Sequence, residues 1–400
     1  MSYTKPYKGL TVVDMSQAIA GPYAGSMLAR LGADVIKIEP YGGDLSRGIG
    51  KKYEGDQTIV SLLVNLGKKS ICIDLKSKDG PGVLRRILES ADVFIENFRP
   101  GISKRLGFSY EEVSKINPRI IYLSISGFGQ RGDFAERPGT DGIMQAFSGF
   151  MASNKGFDGL PHRSTLLIVD FAAALYNVQA IQAALWARHN EETGCHLENS
   201  LLETAASFQN INIATQALQP KKGQPLAYPT ATFESKDGFV VATVLFDREF
   251  QPFIKALGLD ELADDPRLQT ASLRYENREL IDQPMADAAA KLSSEELCKR
   301  FTEIRLLHER INTYEEFMHH KQTEQMGAFL WYEYPGVGKI PLAQVPGTER
   351  LGQDPNLLQA PKLGEHTTMV LSDLGYSQGD IDQLEKDGAI NTKLATQVTG

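Results

Sequence analysis

Residues 9–126 alternate short β-branched runs with helix-forming stretches, and that alternation constrains the fold more than any other feature of the chain. Residues 10–13 read as a strand, 14–22 as a loop, 23–31 as a helix that stops at Gly32, and 33–39 as a second strand. A strand that reaches a parallel neighbour through a helix is a crossover unit, and its repetition builds a parallel sheet. The pattern continues with strands at 70–75, 93–96 and 120–125, separated by helices at 80–90 and 110–115. The expectation is an α/β domain built of parallel-sheet βα units. No G-x-G-x-x-G follows the first strand, and Gly21, Gly25 and Gly32 are spaced wrongly for it, which argues against a nicotinamide cofactor.

Ligands of open α/β sheets collect at the carboxyl ends of the strands, which makes residues 97–101 and 126–132 candidate binding loops. Near the first lie Lys76, Arg99, Lys104 and Arg105. The chain has a net charge of −8, so no general affinity for nucleic acid is expected. A local basic cluster in such a chain suits a phosphorylated small molecule, since guanidinium groups pair with phosphates bidentately. The same residues also fit a solvated helix face.

Residues 166–169 are apolar and run into Asp170, after which Phe171, Leu175, Val178, Ile181 and Leu185 recur at helical spacing. This predicts a helix with one buried stripe and with Asp170 as its N-cap, a position that favours aspartate. A second reading fits the same residue. A carboxylate held at a helix start, and kept ionised by the dipole, can act as a nucleophile on an activated acyl group. Periodicity does not choose between the two.

A chain of 400 residues is too long for one small core and implies two domains of unequal size. Residues 1–224 read as a large α/β domain. From residue 225 the texture changes to a hairpin at 232–241, with an Asp237-Gly238 turn, followed by charge-rich helical stretches at 274–291 and 294–303. Residues 225–330 are accordingly a smaller α+β domain. Residues 331–400 read as a proline- and glycine-rich connection, a helix pair at 367–374 and 378–387 that returns to the large domain, and a loose tail at 391–400. The three cysteines, Cys72, Cys195 and Cys298, lack metal-ligand spacing, so no metal and a reducing, cytoplasmic setting are expected. The absence of an apolar leader and of eighteen consecutive apolar residues predicts no membrane span.

A set of motifs, taken in order, resembles the class III coenzyme A transferases, which include formyl-CoA transferase and carnitine CoA-transferase. They are Ala20-Gly21-Pro22, residues 31–39, Gly43-Asp44 with Arg47, Glu96 to Gly101, Ser126-Gly127-Phe128-Gly129, residues 145–149, Asp170, and residues 361–367. The resemblance covers nearly the whole chain. It implies acyl-CoA and carboxylic acid substrates, with Asp170 attacking the thioester to form an aspartyl anhydride and then an enzyme-bound CoA thioester. It also implies coenzyme A contacts at Ile73, Leu75, Lys76, Asn97, Phe98, Arg99 and Arg105, and an interlocked homodimer. Lys76, Arg99 and Arg105 belong to the basic cluster already noted. One stretch departs from the pattern. Where formyl-CoA transferase has a glycine run after the small-domain hairpin, this chain has Ala242-Thr243-Val244-Leu245-Phe246-Asp247, which is nearer to a carnitine-type relative.

Two other functions are compatible with parts of the pattern. An α-methylacyl-CoA racemase would move a proton with a histidine directly before the aspartate matched by Asp141, but Thr140 stands there. A non-catalytic CoA-binding partner would keep Asn97 and Arg105 and have no need of Asp170.

Overall fold

The computed structural model describes residues 5–156, 158–218, 227–352 and 354–392. The chain divides into two compact units, residues 1–210 together with 327–400, and residues 211–326. The expected boundary between residues 224 and 225, and the tail from residue 393 onward, lie outside the described residues.

The larger unit is built on β1 (Thr11–Asp14), β2 (Asp34–Glu39), the small pair β3 (Lys52–Tyr53) and β4 (Gln57–Thr58), β5 (Lys69–Cys72), β6 (Val93–Glu96), β7 (Ile121–Ser126) and β8 (Cys195–Ser200). Six of these form one parallel sheet in the order β5-β2-β1-β6-β7-β8, with Val12 opposite both Val35 and Val93. The order reverses between β1 and β6. That is the arrangement of a doubly wound nucleotide-binding sheet, formed here without the glycine fingerprint. β6 and β7 are buried along their whole length, which is why apolar residues dominate them.

Helices cover both faces. They are α1 (Ala20–Arg30), α2 (Ile59–Val64), α3 (Gly80–Leu88), α4 (Ile102–Leu106), α5 (Tyr110–Ile116), α6 (Asp141–Phe147), α7 (Phe150–Ser153), α8 (Ile168–Ala187) and α9 (Leu201–Phe208). On one face Ile36, Ile71, Phe94 and Tyr122 of the sheet pack with Val83 and Ile87 of α3. On the other, Val12, Val35, Val93 and Leu123 pack with Leu28 of α1 and with Ala174, Val178 and Ile181 of α8. Each fully buried Val, Leu or Ile contributes about 1.5–3 kcal/mol, and these two clusters hold the sheet between its helices.

Three expectations are corrected here. α1 begins at Ala20, so Gly21 and Pro22 lie in its first turn, where a proline has no intrahelical N–H to lose. α8 begins at Ile168 with Leu167 as its N-cap, which makes Asp170 the third helical residue and not the cap. The predicted stripe of large residues on α8 is buried only in part, with Val178, Ile181 and Leu185 packed on the sheet core. Phe171 and Leu175 are 40% and 53% exposed, while Ala173, Ala174, Asn177, Ile181 and Ala184 are buried. Small side chains let α8 lie close against α1. Among the described residues α8 is the one helix long and apolar enough to cross a membrane by length and composition, yet one side of it packs on this sheet.

After α10 (Asn210–Leu218), the smaller unit has β9 (Thr230–Ser235), β10 (Gly238–Thr243) and β11 (Leu307–Arg310) in an antiparallel sheet of order β11-β10-β9. Its helices are α11 (Phe250–Ala256), α12 (Ala271–Glu276), α13 (Asp282–Ala289), α14 (Ser294–Glu303), α15 (Tyr314–His319) and α16 (Lys321–Met326). Phe233, Val240, Phe253, Ile254, Leu297 and Phe301 form its core.

The chain then returns to the larger unit. Residues 331–365 are not a plain connection, because β12 (Phe329–Tyr334) and β13 (Gly338–Ala343) pair there as a hairpin. α17 (Thr367–Asp373) and α18 (Gln378–Lys386) follow, and Val370, Leu371 and Ile381 join the core beneath β5.

Candidate active site

The strand ends around the sheet's reversal point carry a buried ionic network. Asp14, the last residue of β1, pairs with Lys68 at 2.7 Å and lies 3.7 Å from Lys37, while Lys37 pairs with Asp44 at 2.8 Å. Glu39 holds Arg47 through two bonds of 2.7 Å. Burial alone would raise the Asp14 carboxyl, but the Lys37 and Lys68 ammoniums outweigh it and hold it down at about 2. Burial pushes the Lys68 ammonium down to about 8 despite Asp14.

This network shapes the loop after β1. The Ser16 hydroxyl and N–H donate to Asp14, the Lys37 ammonium donates to the Ser16 carbonyl, and the Ala18 N–H donates to Asp44 at 2.9 Å. Ala18 is held at φ +64, a left-handed conformation that a non-glycine residue adopts only when its surroundings enforce it. Asn97, just past β6, closes the reversal point from the other side. Its Oδ1 accepts the Gln17 N–H and its Nδ2 donates to the Gln17 carbonyl, both at 2.8 Å.

The other residues expected to contact coenzyme A lie around β5, β6 and α4. Ile73 follows β5, is 2% exposed and bridges to Ile390 in the core. Leu75 is half-buried and Lys76 exposed. Phe98 and Arg99 line a cavity of about 280 Å³ together with Lys104, Glu96, Ser124 and His196. Within it the Ser124 hydroxyl lies 3.0 Å from His196 Nε2, and burial raises the Glu96 carboxyl. Arg105 is exposed in the last turn of α4. Neither Lys76 nor Arg105 lines that cavity, and Asn97 is engaged with Gln17, so the seven positions are brought together as neighbouring strand-end segments, not as one pocket.

Asp170 lies in the first turn of α8. Val169 and Ala173 of that helix join Ala20 of α1, Phe128 after β7 and Met144 of α6 in a small apolar cluster. Tyr23 of α1 meets Phe171 edge to face, with ring centroids 4.9 Å apart. The loop carrying Phe128 reaches this place because Gly127 and Gly139 pack backbone to backbone; a Cβ on Gly127 would come within 2.8 Å of Gly139 Cα. No hydrogen bond to the Asp170 carboxylate is formed among the described residues. The dipole does not keep it strongly acidic, as the sequence suggested. Burial, and then the nearby charge of Asp141, push the Asp170 carboxyl up to about 7.

The true cap of α8 comes from 28 residues earlier. Asp141 Oδ2 accepts the Val169 N–H at 2.7 Å and the Asp170 N–H at 3.2 Å. Its Oδ1 accepts a 2.6 Å bond from Gln145 Nε2, and Gln145 Oε1 accepts the Ser164 N–H at 2.9 Å. Sequence reasoning quoted Asp141 and Gln145 only inside motifs and missed this role. It also missed the partners of Asp14, though a lysine and a glutamate inside the apolar run of residues 35–39 were a signal. No cluster of three or more His, Cys, Asp or Glu side chains able to hold a metal is present among the described residues.

The profile of CoA-transferase family III matches residues 7–367. A succinate–glutarate CoA-transferase of Agrobacterium fabrum is 34% identical, over 92% of this chain and 96% of its own. An acetyl-CoA:oxalate CoA-transferase of Acetobacter aceti is 36% identical over 72% of this chain and 75% of its own. The crystal structure of a CAIB/BAIF family protein from Brucella suis superposes with a TM-score of 0.80 at 30% identity, covering 93% of this chain and all of that one.

Proposed function

The chain belongs to CoA-transferase family III, an enzyme family that moves coenzyme A between acyl-CoA and carboxylic acids, and we propose that it does so through covalent intermediates on Asp170. The observation that carries this reading is the place of the Asp170 carboxyl in the first turn of α8, with no donor bonded to it among the described residues and with burial and Asp141 pushing it up to about 7. A carboxylate with a raised affinity for a proton is a better nucleophile than one at the ordinary carboxylate value.

An Asp170 oxygen attacks the thioester carbonyl, and the carbon–sulfur bond breaks to release coenzyme A as thiolate. The mixed anhydride is then opened by the thiolate at the aspartyl carbonyl, which frees the donor acid as carboxylate and leaves coenzyme A on Asp170. The acceptor carboxylate repeats the two steps in reverse and departs as the new acyl-CoA. Each attack needs proximity and oxyanion stabilisation, which the backbone N–H groups of the strand-end loops can supply. Arg99, Arg105 and Lys76 would hold the phosphates of coenzyme A, a role supported by their exposure beside the β5 and β6 ends. The names of the relatives support short-chain dicarboxylates as donor and acceptor acids.

An interlocked homodimer in the cytoplasm completes the proposal. Its dimer part is supported by large apolar side chains left exposed on one unit, among them Phe147, Leu166, Phe171, Leu175 and Phe208. The test is incubation with succinyl-CoA, then alkaline hydroxylamine and mass analysis of the peptide containing Asp170. A hydroxamate at Asp170 is expected. An unmodified peptide from an enzyme that still transfers coenzyme A would remove Asp170 from the mechanism. Proton exchange at the α-carbon without labelling would point to the racemase instead, and neither result would be expected of a non-catalytic partner.

A further inference from the structure

We infer that Asp141 is a positioning residue for Asp170, capping α8 from a distant segment and fixing the backbone that carries the reacting carboxylate; this rests on the reading of Asp170 as nucleophile. Leu167, the residue in the cap position, has no side-chain acceptor to offer the first helical N–H groups. Asp141 supplies one, with both of its oxygens committed and only 2% of its surface exposed. Gln145, one turn along α6, bonds the backbone on both sides of the approach to the helix, accepting from Ser164 N–H and donating to the Ser164 and Leu166 carbonyls at 3.3 and 3.2 Å. The pair therefore fixes residues 164–170 as one piece.

The same geometry has an electrostatic consequence. A helix N-terminus ordinarily stabilises a carboxylate in its first turn. Here the N–H groups of Val169 and Asp170 already serve Asp141, whose negative charge then opposes ionisation of Asp170. Other titratable groups sit on the elements packed against α8: Tyr23 and Arg30 on α1, Tyr122 on β7, Cys195, His196 and Glu198 on β8, and Glu203 on α9. Arg163, in the segment before α8, lies against Gly142. None of these enters the shift at Asp170, which is set by burial and Asp141.

The experiment compares D141N and Q145A with the unaltered enzyme, reading kcat against pH from about pH 5 to about pH 9 alongside hydroxylamine labelling. D141N keeps one acceptor oxygen for the helix N–H groups, but loses the charge and the second oxygen that accepts from Gln145 Nε2. Its acid limb should move down by about one pH unit. Q145A keeps the charge and loosens the segment, so kcat should fall about tenfold with the limb unmoved. A D141N enzyme with an unmoved limb and kcat within about twofold would reduce Asp141 to a structural cap and overturn the inference, provided that Asp170 is still labelled. Loss of labelling in the unaltered enzyme would instead overturn the nucleophile itself. If D141N does not fold, the unaltered profile decides, because an acid limb near the ordinary carboxylate value of about 4 would contradict any opposition from Asp141.

Discussion

Replacing Asp170 by asparagine separates the cost of this carboxylate from its use. Its pKa rises from 3.8 to about 7, which at about 1.4 kcal/mol per pH unit corresponds to about 4 kcal/mol. The sign follows from the proton balance. Between about pH 4 and pH 7 the unfolded chain has already lost the proton and the folded chain keeps it, so folding stability falls as pH rises through that window. Above about pH 7 the folded protein carries the full cost, and below about pH 4 it carries none. Asp170 keeps some access to solvent, so about 2–4 kcal/mol is the expected range. Asp170→Asn removes the charge and leaves volume and cap intact, because the cap is Asp141. The mutant should therefore match the parent in melting temperature near pH 4 and exceed it by several degrees at pH 8. Over the same series CoA transfer should fall by at least about a thousandfold, because a neutral amide cannot open the covalent route. The assay is thermal unfolding at fixed protein concentration across pH, with transfer measured on the same samples. A mutant whose stability difference from the parent does not change with pH would refute the placement of a strained, proton-avid carboxylate in α8.

Three further outcomes are expected. Arg105→Ala should raise KM for acyl-CoA by the equivalent of about 1.5–3 kcal/mol with a smaller effect on kcat, and an unchanged KM would remove Arg105 from phosphate binding. If the chains interlock, size-exclusion chromatography should give a dimer that persists at nanomolar concentration, and a folded, active monomer on dilution would contradict that assembly. In the smaller unit Asp247→Ala should destabilise by about 1–3 kcal/mol, since it strips the buried Arg274 guanidinium of a 2.7 Å bond to a carboxylate and leaves it the Tyr228 and Leu268 carbonyls and the face of Phe250; urea unfolding measures it.

What could be read in the sequence was what is local. β1, β2, β6 and β7 were legible because parallel strands covered on both faces are dominated by β-branched and other apolar residues. β8 was not, because it is an edge strand whose sequence, Cys195-His196-Leu197-Glu198-Asn199-Ser200, is mostly polar. The hairpin β12–β13 was hidden by Pro341, which sits in a two-stranded ribbon where a missing N–H costs little. In α8 the pattern marked the buried face only in part. Val178, Ile181 and Leu185 of the visible stripe pack on the sheet beside alanines, while Leu175 is exposed and Phe171 is partly exposed against Tyr23 of α1. The position of Asp170 was legible but its environment was not, because its cap and the charge that perturbs it both come from Asp141, and nothing in the intervening sequence announces that contact. The ionic network was hidden for the same reason: Asp14 and Lys68 are adjacent only after the sheet has formed.

The edge of the main sheet at β5 is finished by the last part of the chain. Ser70 receives the His366 N–H on its carbonyl and the Gly364 N–H on its hydroxyl, the second from 294 residues away. Asp74 N–H donates to the Ala389 carbonyl, and the Pro361 carbonyl takes an N–H from the buried Arg47. During synthesis the strand must therefore wait, with its edge open, while the whole intervening unit is made and folded. An exposed strand edge is a template for pairing with other chains, so the nascent protein is vulnerable in the interval before residue 390 leaves the ribosome. A stop codon near the end of the chain would remove no strand of the sheet and no residue assigned to chemistry, yet it would leave the edge permanently unsealed. Residues 361–391 thus act as the closure of that edge.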